Sequence, residues 1–192
     1  MLNEGYVSIY NKWRDDWCLF ARDVLKVNID REQKDILRSV QLNKMTSVCS
    51  GTARGKDFIT AVASLCFLYL TPKFNSKGEL IENTKVALTA PTERQVGNIM
   101  YPEIMRLFKG AKILPGRPVS FDIRTEYDEW FLSGFKASKD NQEAWTGFHA
   151  VNTMFAVTEA SGLPDPVYSA IEGNLQGNSR LLLVFNANRN TG

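Results

Sequence analysis

Phe58 to Leu70 is a run of 13 residues that is apolar on every side (Phe58, Ile59, Ala61, Val62, Leu65, Phe67, Leu68). A helix built from it has no face to offer water and must lie at the centre of the fold. The residues leading into it are Val48-Cys49-Ser50-Gly51-Thr52-Ala53-Arg54-Gly55-Lys56-Asp57. They read as a strand end and a small-residue loop closing on Gly-Lys. Strand, loop and buried helix in this order are what a phosphate-binding loop requires: backbone N–H groups and the positive end of the helix face a polyphosphate, and Lys56 reaches its outer phosphates. Against the pattern G-x-x-x-x-G-K-[ST], Ser50 replaces the first glycine and Asp57 replaces the Mg²⁺-binding hydroxyl. Gly-Lys pairs arise often by chance, so the rest of the chain has to decide.

Upstream, Ile9, Trp13, Trp17, Phe20, Val24 and Leu25 recur on one helical face and predict a helix over residues 8–26. Asp30 predicts the N-cap of a second helix, with Gln33 at the capping-box position. A Gln one helix ahead of a phosphate loop also suits the edge of adenine, and both roles stay open for Gln33. Lys44 to Ser50 reads as a strand. Residues 73–83 read as a dispensable surface turn, Lys85 to Ala90 as a buried strand, and Glu93 to Lys109 as a helix that Pro102 either kinks or bounds. Residues 110–118 read as a loop. Phe121 to Arg124 and Glu129 to Leu132 read as sheet-edge strands, with Ser133-Gly134 a turn. Residues 138–149 read as loop, Asn152 to Val157 as a buried strand, Pro166 to Asn174 as a short helix, and Leu181 to Phe185 as a final strand. Strands alternating with helices predict an α/β fold with a mainly parallel sheet. Ligands of such sheets bind at the carboxyl ends of the strands. The loop at 50–57, Glu159 and Asn186 all fall at such ends.

Phosphoanhydride hydrolysis needs a phosphate cradle, a bridging Mg²⁺, a group that orients water, and positive charge for the transition state. Glu159 is placed to orient water, Asn186 to sense the γ-phosphate through its amide, and Arg54 to supply charge within the loop. The candidate nucleotide contacts are thus Gln33, Ser50, Gly51, Thr52, Ala53, Arg54, Gly55, Lys56, Asp57, Phe58 and Asn186. The usual metal ligands are a hydroxyl after the loop lysine and an Asp before the strand-end Glu; this chain has Asp57 and Thr158. An exchange of the two oxygen ligands is expected, keeping one carboxylate and one hydroxyl near Mg²⁺, which accepts one or two carboxylates together with waters and phosphates.

With 192 residues the chain suits one domain, residues 1–192, in which 1–40 form helices packed on a nucleotide-binding core of 41–192. Its net charge of +2 demands that any nucleic-acid contact come from a local patch. Lys109, Lys112 and Arg117 are the candidates. Cys18, Cys49 and Cys66 lack metal-ligand spacing and read as reduced, mostly buried thiols. No secretion signal is legible, and the most apolar run falls short of the roughly 20 residues that cross a bilayer. An intracellular, soluble protein without membrane contact is expected.

The chain resembles the ATPase half of a tailed-phage terminase large subunit, the motor that packages viral DNA. The resemblance rests on Gln33, Ser50 to Lys56, Leu88-Thr89-Ala90-Pro91-Thr92-Glu93-Arg94-Gln95, Gly147-Phe148-His149-Ala150, Val157-Thr158-Glu159-Ala160-Ser161-Gly162 and Phe185 to Gly192, in that order and spacing. It implies a P-loop NTPase fold of the ASCE/RecA-like type, with residues 50–57 as Walker A, Gln33 as an adenine contact and Glu159 as the catalytic glutamate. Asn186 would belong to the motif coupling hydrolysis to movement, and Arg54 is the candidate arginine finger in cis, with Arg106, Arg117 and Arg124 unranked alternatives. The lone His149 reads as structural. ATP and Mg²⁺ are the implied cofactors. Double-stranded DNA, a homo-oligomeric ring, a portal and a small terminase subunit are the implied partners, in the cytoplasm of an infected bacterium. Such proteins normally continue into a nuclease domain, which is not expected within these residues, so no DNA cleavage is expected of them. A helicase-like ATPase and a nucleotide-binding assembly module without turnover are the competing readings.

Overall fold

The computed structural model describes residues 10–49, 51, 55–138, 145 and 148–186. Residues 10–14 are helical, and the chain then breaks at Asp16, whose side chain accepts from the Leu19 N–H and starts α1 (Trp17–Asp23). The single helix expected over 8–26 is therefore two, because a carboxylate two residues past Arg14 offers the backbone a better partner than a further turn. α2 (Arg31–Leu42) begins at Asp30 with a complete capping box to Gln33. β1 (Met45–Cys49) leads to α3 (Lys56–Leu70), whose residues from Ile59 onward are all buried.

Seven strands form one sheet in the order β1, β9 (Asn178–Phe185), β8 (Asn152–Thr158), β4 (Thr84–Ala90), β7 (Trp130–Lys136), β6 (Asp122–Arg124), β5 (Arg117–Val119). The first five run parallel, and the last two are antiparallel additions. Strands β4 and β8 are buried along their whole length, as parallel strands covered on both faces must be. Alternate side chains of β4, β8 and β9 separate two cores. Val86, Leu88, Met154, Ala156, Leu182 and Val184 meet α1, α2, α3 and α5 (Tyr101–Gly110). On the other face Ala87, Phe155, Val157 and Leu181 meet Trp145, Phe148 and α6 (Asp165–Gly173).

Several expectations are revised. Residues 73–83 are not a bare turn but a hairpin of β2 (Lys73–Phe74) and β3 (Leu80–Glu82), whose Phe74 ring lies 5.4 Å from that of Trp130. Ser133 and Gly134 are not a turn; they lie inside β7, which belongs to the parallel sheet and not to its edge. Gly134 suits the close approach there: a Cβ would stand 3.1 Å from the Phe121 carbonyl oxygen and from Val96, tighter than ordinary contact. Arg117 and Pro118, expected as the end of a loop, belong to β5 (Arg117–Val119). The predicted helix over 93–109 is α4 (Glu93–Gln95), a π turn (Val96–Met100) and α5. The wide turn takes up the Pro102 ring and its missing donor, so the helix continues without a break. It also rotates the apolar face, leaving Ile99, expected inward, exposed. Of the cysteines only Cys66 is fully buried; Cys49 is exposed. No described helix is long and apolar enough to cross a membrane.

Candidate active site

Three neighbouring parallel strands end together. Cys49 of β1 lies opposite Phe185 of β9, and Val184 lies opposite Thr158 of β8. The loop before α3, Asn186 and Glu159 each follow one of these ends, so segments far apart in sequence meet along one edge of the sheet.

Gly55 sits at the N-cap of α3 in the left-handed region, with φ of 70°. A Cβ on it would lie 2.8 Å from the Gln33 amide nitrogen. The left-handed backbone favours glycine there, and any larger residue would also push the end of the Gln33 side chain aside. Gln33 itself does two things: its Oε1 accepts from the Asp30 N–H at 3.2 Å, closing the cap, while its amide nitrogen lies against the loop. The reading of Gln33 as a cap is therefore realised without removing it from the neighbourhood of the loop.

Lys56 opens α3 and is only 9% exposed. Its ammonium donates to Oδ1 of Asn186, and the Asn186 amide donates to both Glu159 oxygens, at 3.2 and 3.3 Å. One asparagine thus joins the lysine to the carboxylate. Glu159 has φ of 50°, a left-handed conformation rare outside glycine. The backbone there is fixed from both sides: the Gly162 N–H donates to the Glu159 carbonyl at 3.0 Å, and the Tyr168 hydroxyl donates to the Ala160 carbonyl. Strain at a strand end, held by its surroundings, marks a position selected for where it aims a side chain.

Asp57 is half-buried in the first turn of α3. Burial pushes its carboxyl up from the ordinary Asp range, the nearby Glu159 charge adds to the rise, Lys56 opposes it, and Glu103 raises it further. Thr158 is buried and, by strand alternation, shares the face of Met154 and Ala156 against which α3 packs. No group of three or more His, Cys, Asp or Glu side chains suited to a metal is present among the described residues. An acidic first turn beside a second carboxylate is a donor set of hard oxygens that gains from a divalent cation and has too few ligands to hold one alone.

Ser50, Thr52, Ala53 and Arg54 lie outside the described residues. The other arginines separate cleanly. Arg106 is bound by Glu103 and lies 5.8 Å from the centre of the Phe58 ring, beside the site. This Glu103–Arg106 pair is the feature the sequence reading missed; its signal is the i,i+3 acid–base spacing on α5. Arg124 pairs with Asp122 and stacks 4.1 Å from the Phe131 ring at the amino end of the sheet, and Arg117 lies opposite it on β5. Lys109 is exposed in the last turn of α5, and Lys112 is exposed between α5 and β5. His149 is exposed just before β8, also at the amino end.

No family model matches the chain. It is 28% identical over 183 residues to a probable terminase, large subunit, of Enterobacteria phage P7, covering 94% of this chain and 36% of that protein. The chain thus spans about a third of the length of this curated relative. Among solved structures, a mutant ATPase domain of the Thermus phage P74-26 large terminase superposes with a TM-score of 0.61 at 20% identity, over 85% of this chain and 67% of that one. The HK97 bacteriophage large terminase gives 0.61 at 15% identity, over 83% and 33%. A large terminase from a thermophilic bacteriophage, in complex with ADP, gives 0.55 at 14% identity, over 82% and 38%. The chain is similar to phage large terminases and has the P-loop α/β fold of their ATPase domains.

Proposed function

We propose that residues 1–192 form one Mg²⁺-dependent ATPase domain that drives double-stranded viral DNA into a procapsid. The observation that carries this reading is the joining of Lys56, Asn186 and Glu159 where three parallel strands end, a lysine for phosphate and a carboxylate for water within one hydrogen-bonded group. Solved structures similar to this fold include large terminases, one of them in complex with ADP. The domain would work in a homo-oligomeric ring with a portal and a small subunit, in the cytoplasm of the infected host.

The chemistry assigned to the residues is as follows. The loop amides from Ser50 to Lys56 and the amino end of α3 cradle the phosphates, and Lys56 neutralises their outer oxygens. Gln33 meets the adenine edge from its place beside Gly55. Glu159 orients a water whose oxygen forms the bond to the γ-phosphorus as the bond to the ADP oxygen breaks; the water's proton passes through the carboxylate to solvent. Asp57 and Thr158 would hold Mg²⁺, which would supply neutralisation of the charge developing on the phosphates. Arg54 contributes positive charge from within the loop, with Arg106 the nearest described alternative. Lys109, Lys112 and Arg117 are offered to DNA phosphates.

Steady-state phosphate release by the wild type and by Glu159→Ala tests the reading. Loss of turnover by at least ~100-fold in the variant, with ADP still bound, is expected. ADP binding by a wild type that never turns over would favour the assembly module instead, a reading to which the crowded carboxylates Asp57 and Glu159 lend weight. DNA packaging by full-length protein with procapsids separates the translocase from a helicase-like ATPase.

A further inference from the structure

Glu159 is the first residue past β8, and it does not continue the strand. Were it to do so, alternation would carry its side chain to the face of Phe155 and Val157, in the second apolar core. Its backbone turns instead into the left-handed region, at φ 50° and ψ 42°, and the carboxylate stays at the site end of the sheet. We propose that Tyr168 is a positioning residue for Glu159: from α6 its hydroxyl holds the turn that keeps this backbone left-handed, and so keeps the carboxylate in the site. The proposal rests on the reading of Glu159 as the group that orients water, and it adds what aims that group.

A residue with a Cβ enters the left-handed region at a cost, because the Cβ crowds its own carbonyl oxygen. Left to itself the chain would relax to an extended or right-handed conformation, and the carboxylate would swing with it. Two bonds inside the turn oppose this. The Gly162 N–H donates to the Glu159 carbonyl and the Leu163 N–H to the Ala160 carbonyl, both at 3.0 Å, closing the 3-10 turn Ala160–Gly162. Such short-range bonds have poor geometry and open readily together. Two further contacts come from distant parts of the chain. Gly162 lies against Pro91, just past β4, where a Cβ would stand 3.1 Å from the proline ring. The Tyr168 hydroxyl donates to the Ala160 carbonyl, at the peptide that follows the strained residue. With the Leu163 N–H already there, both lone pairs of that carbonyl are taken. The helix that supplies the hydroxyl is itself fixed, since Val167 and Ile171 anchor α6 in the second core and the Tyr168 ring packs on the same core. Tyr168 thus joins the apolar packing of α6 to the aim of a carboxylate one residue away from the carbonyl it holds.

Tyr168→Phe keeps the ring and removes the hydroxyl, so packing and positioning are separated by one atom. Its kcat for ATP should fall about threefold to tenfold, the worth of one ordinary hydrogen bond. KM for ATP, and ADP affinity by isothermal calorimetry, should stay at the wild-type values, because the phosphate-binding loop is untouched. That split marks a group acting on the transition state; a general loss of structure lowers binding as well. Amide hydrogen exchange at Gly162, whose N–H serves the Glu159 carbonyl, should quicken in the variant by a similar factor. Unchanged kcat or unchanged Gly162 exchange in Tyr168→Phe, beside a wild type whose turnover requires Glu159, overturns the positioning role alone. A fall in kcat matched by an equal loss of ADP affinity overturns it too, since the hydroxyl would then only support the fold. A wild type without turnover, or one indifferent to Glu159→Ala, overturns the function reading and takes this role with it.

Discussion

Gly55 combines a φ of 70°, which favours glycine, with a Gln33 amide nitrogen 2.8 Å from where a Cβ would stand. Gly55→Ala should therefore lower stability by about 1–2 kcal/mol and weaken ADP binding at least tenfold, by calorimetry and thermal melting. An alanine variant that binds ADP normally would dissociate the glycine from the phosphate site. Asp57 makes a separate prediction. With Glu159 close by, an acidic group beside phosphates is repulsive until a cation intervenes. ATP affinity of the wild type should fall sharply in EDTA, and Asp57→Ser should shrink that dependence severalfold; equal Mg²⁺ dependence in both proteins contradicts the exchanged ligand set. Glu159 and Asn186 could be placed at strand ends from sequence because each follows an apolar run, and Lys56 because its Gly-Lys pair stands between a strand and an apolar helix. Their hydrogen bonds to one another could not, since side-chain contacts between residues 130 positions apart leave no periodic trace.

At the scale of elements, the long apolar signals were legible and the local compromises were not. Strands β4 and β8 and helix α3 announce themselves as unbroken apolar runs. The break at Asp16 turns on a single capping side chain, the π turn at Val96–Met100 on the proline just after it, and Gly134 on the approach of Phe121 from the turn between β5 and β6. A glycine in a strand and a glycine in a turn look alike until its neighbour is known. Beside the amino ends of β4 and β7, Lys85 is bound by Glu129 at 2.7 Å, and this hydrogen bond holds the Glu129 carboxyl below its ordinary range. A depressed acid contributes stability above its unfolded pKa and loses it as pH falls through the folded one. Melting at pH 7 should thus show Glu129→Gln lower by about 1–3 °C, a discounted figure because Glu129 is largely solvated, and the gap should close below about pH 4. A gap that widens on acidification would contradict the sign.

Across the molecule, the site end and the basic end are opposite. Lys56, Asn186 and Glu159 follow the carboxyl ends of the strands, while Arg117 and Arg124 lie toward the amino ends, joined to the site through the buried α3 and its neighbours. The amino-terminal helices are fastened to that central helix. Arg14 donates to the Leu70 carbonyl at 3.1 Å and to that of Pro72 at 2.6 Å, closing the end of α3 with a positive charge where the helix dipole favours one. Arg14→Ala should cost about 2 kcal/mol and lower Tm by about 4–8 °C; an unchanged melt would mean that these helices are held without it. The central claim is that remote segments converge on one triphosphate. Its most direct measurement is a crystal structure with Mg²⁺ and a non-hydrolysable ATP analogue. The account predicts the triphosphate over Gly55 and Lys56, the Lys56 ammonium transferred from Asn186 to phosphate, and Gln33 against the base. An analogue bound elsewhere, with Lys56 still on Asn186, would contradict it.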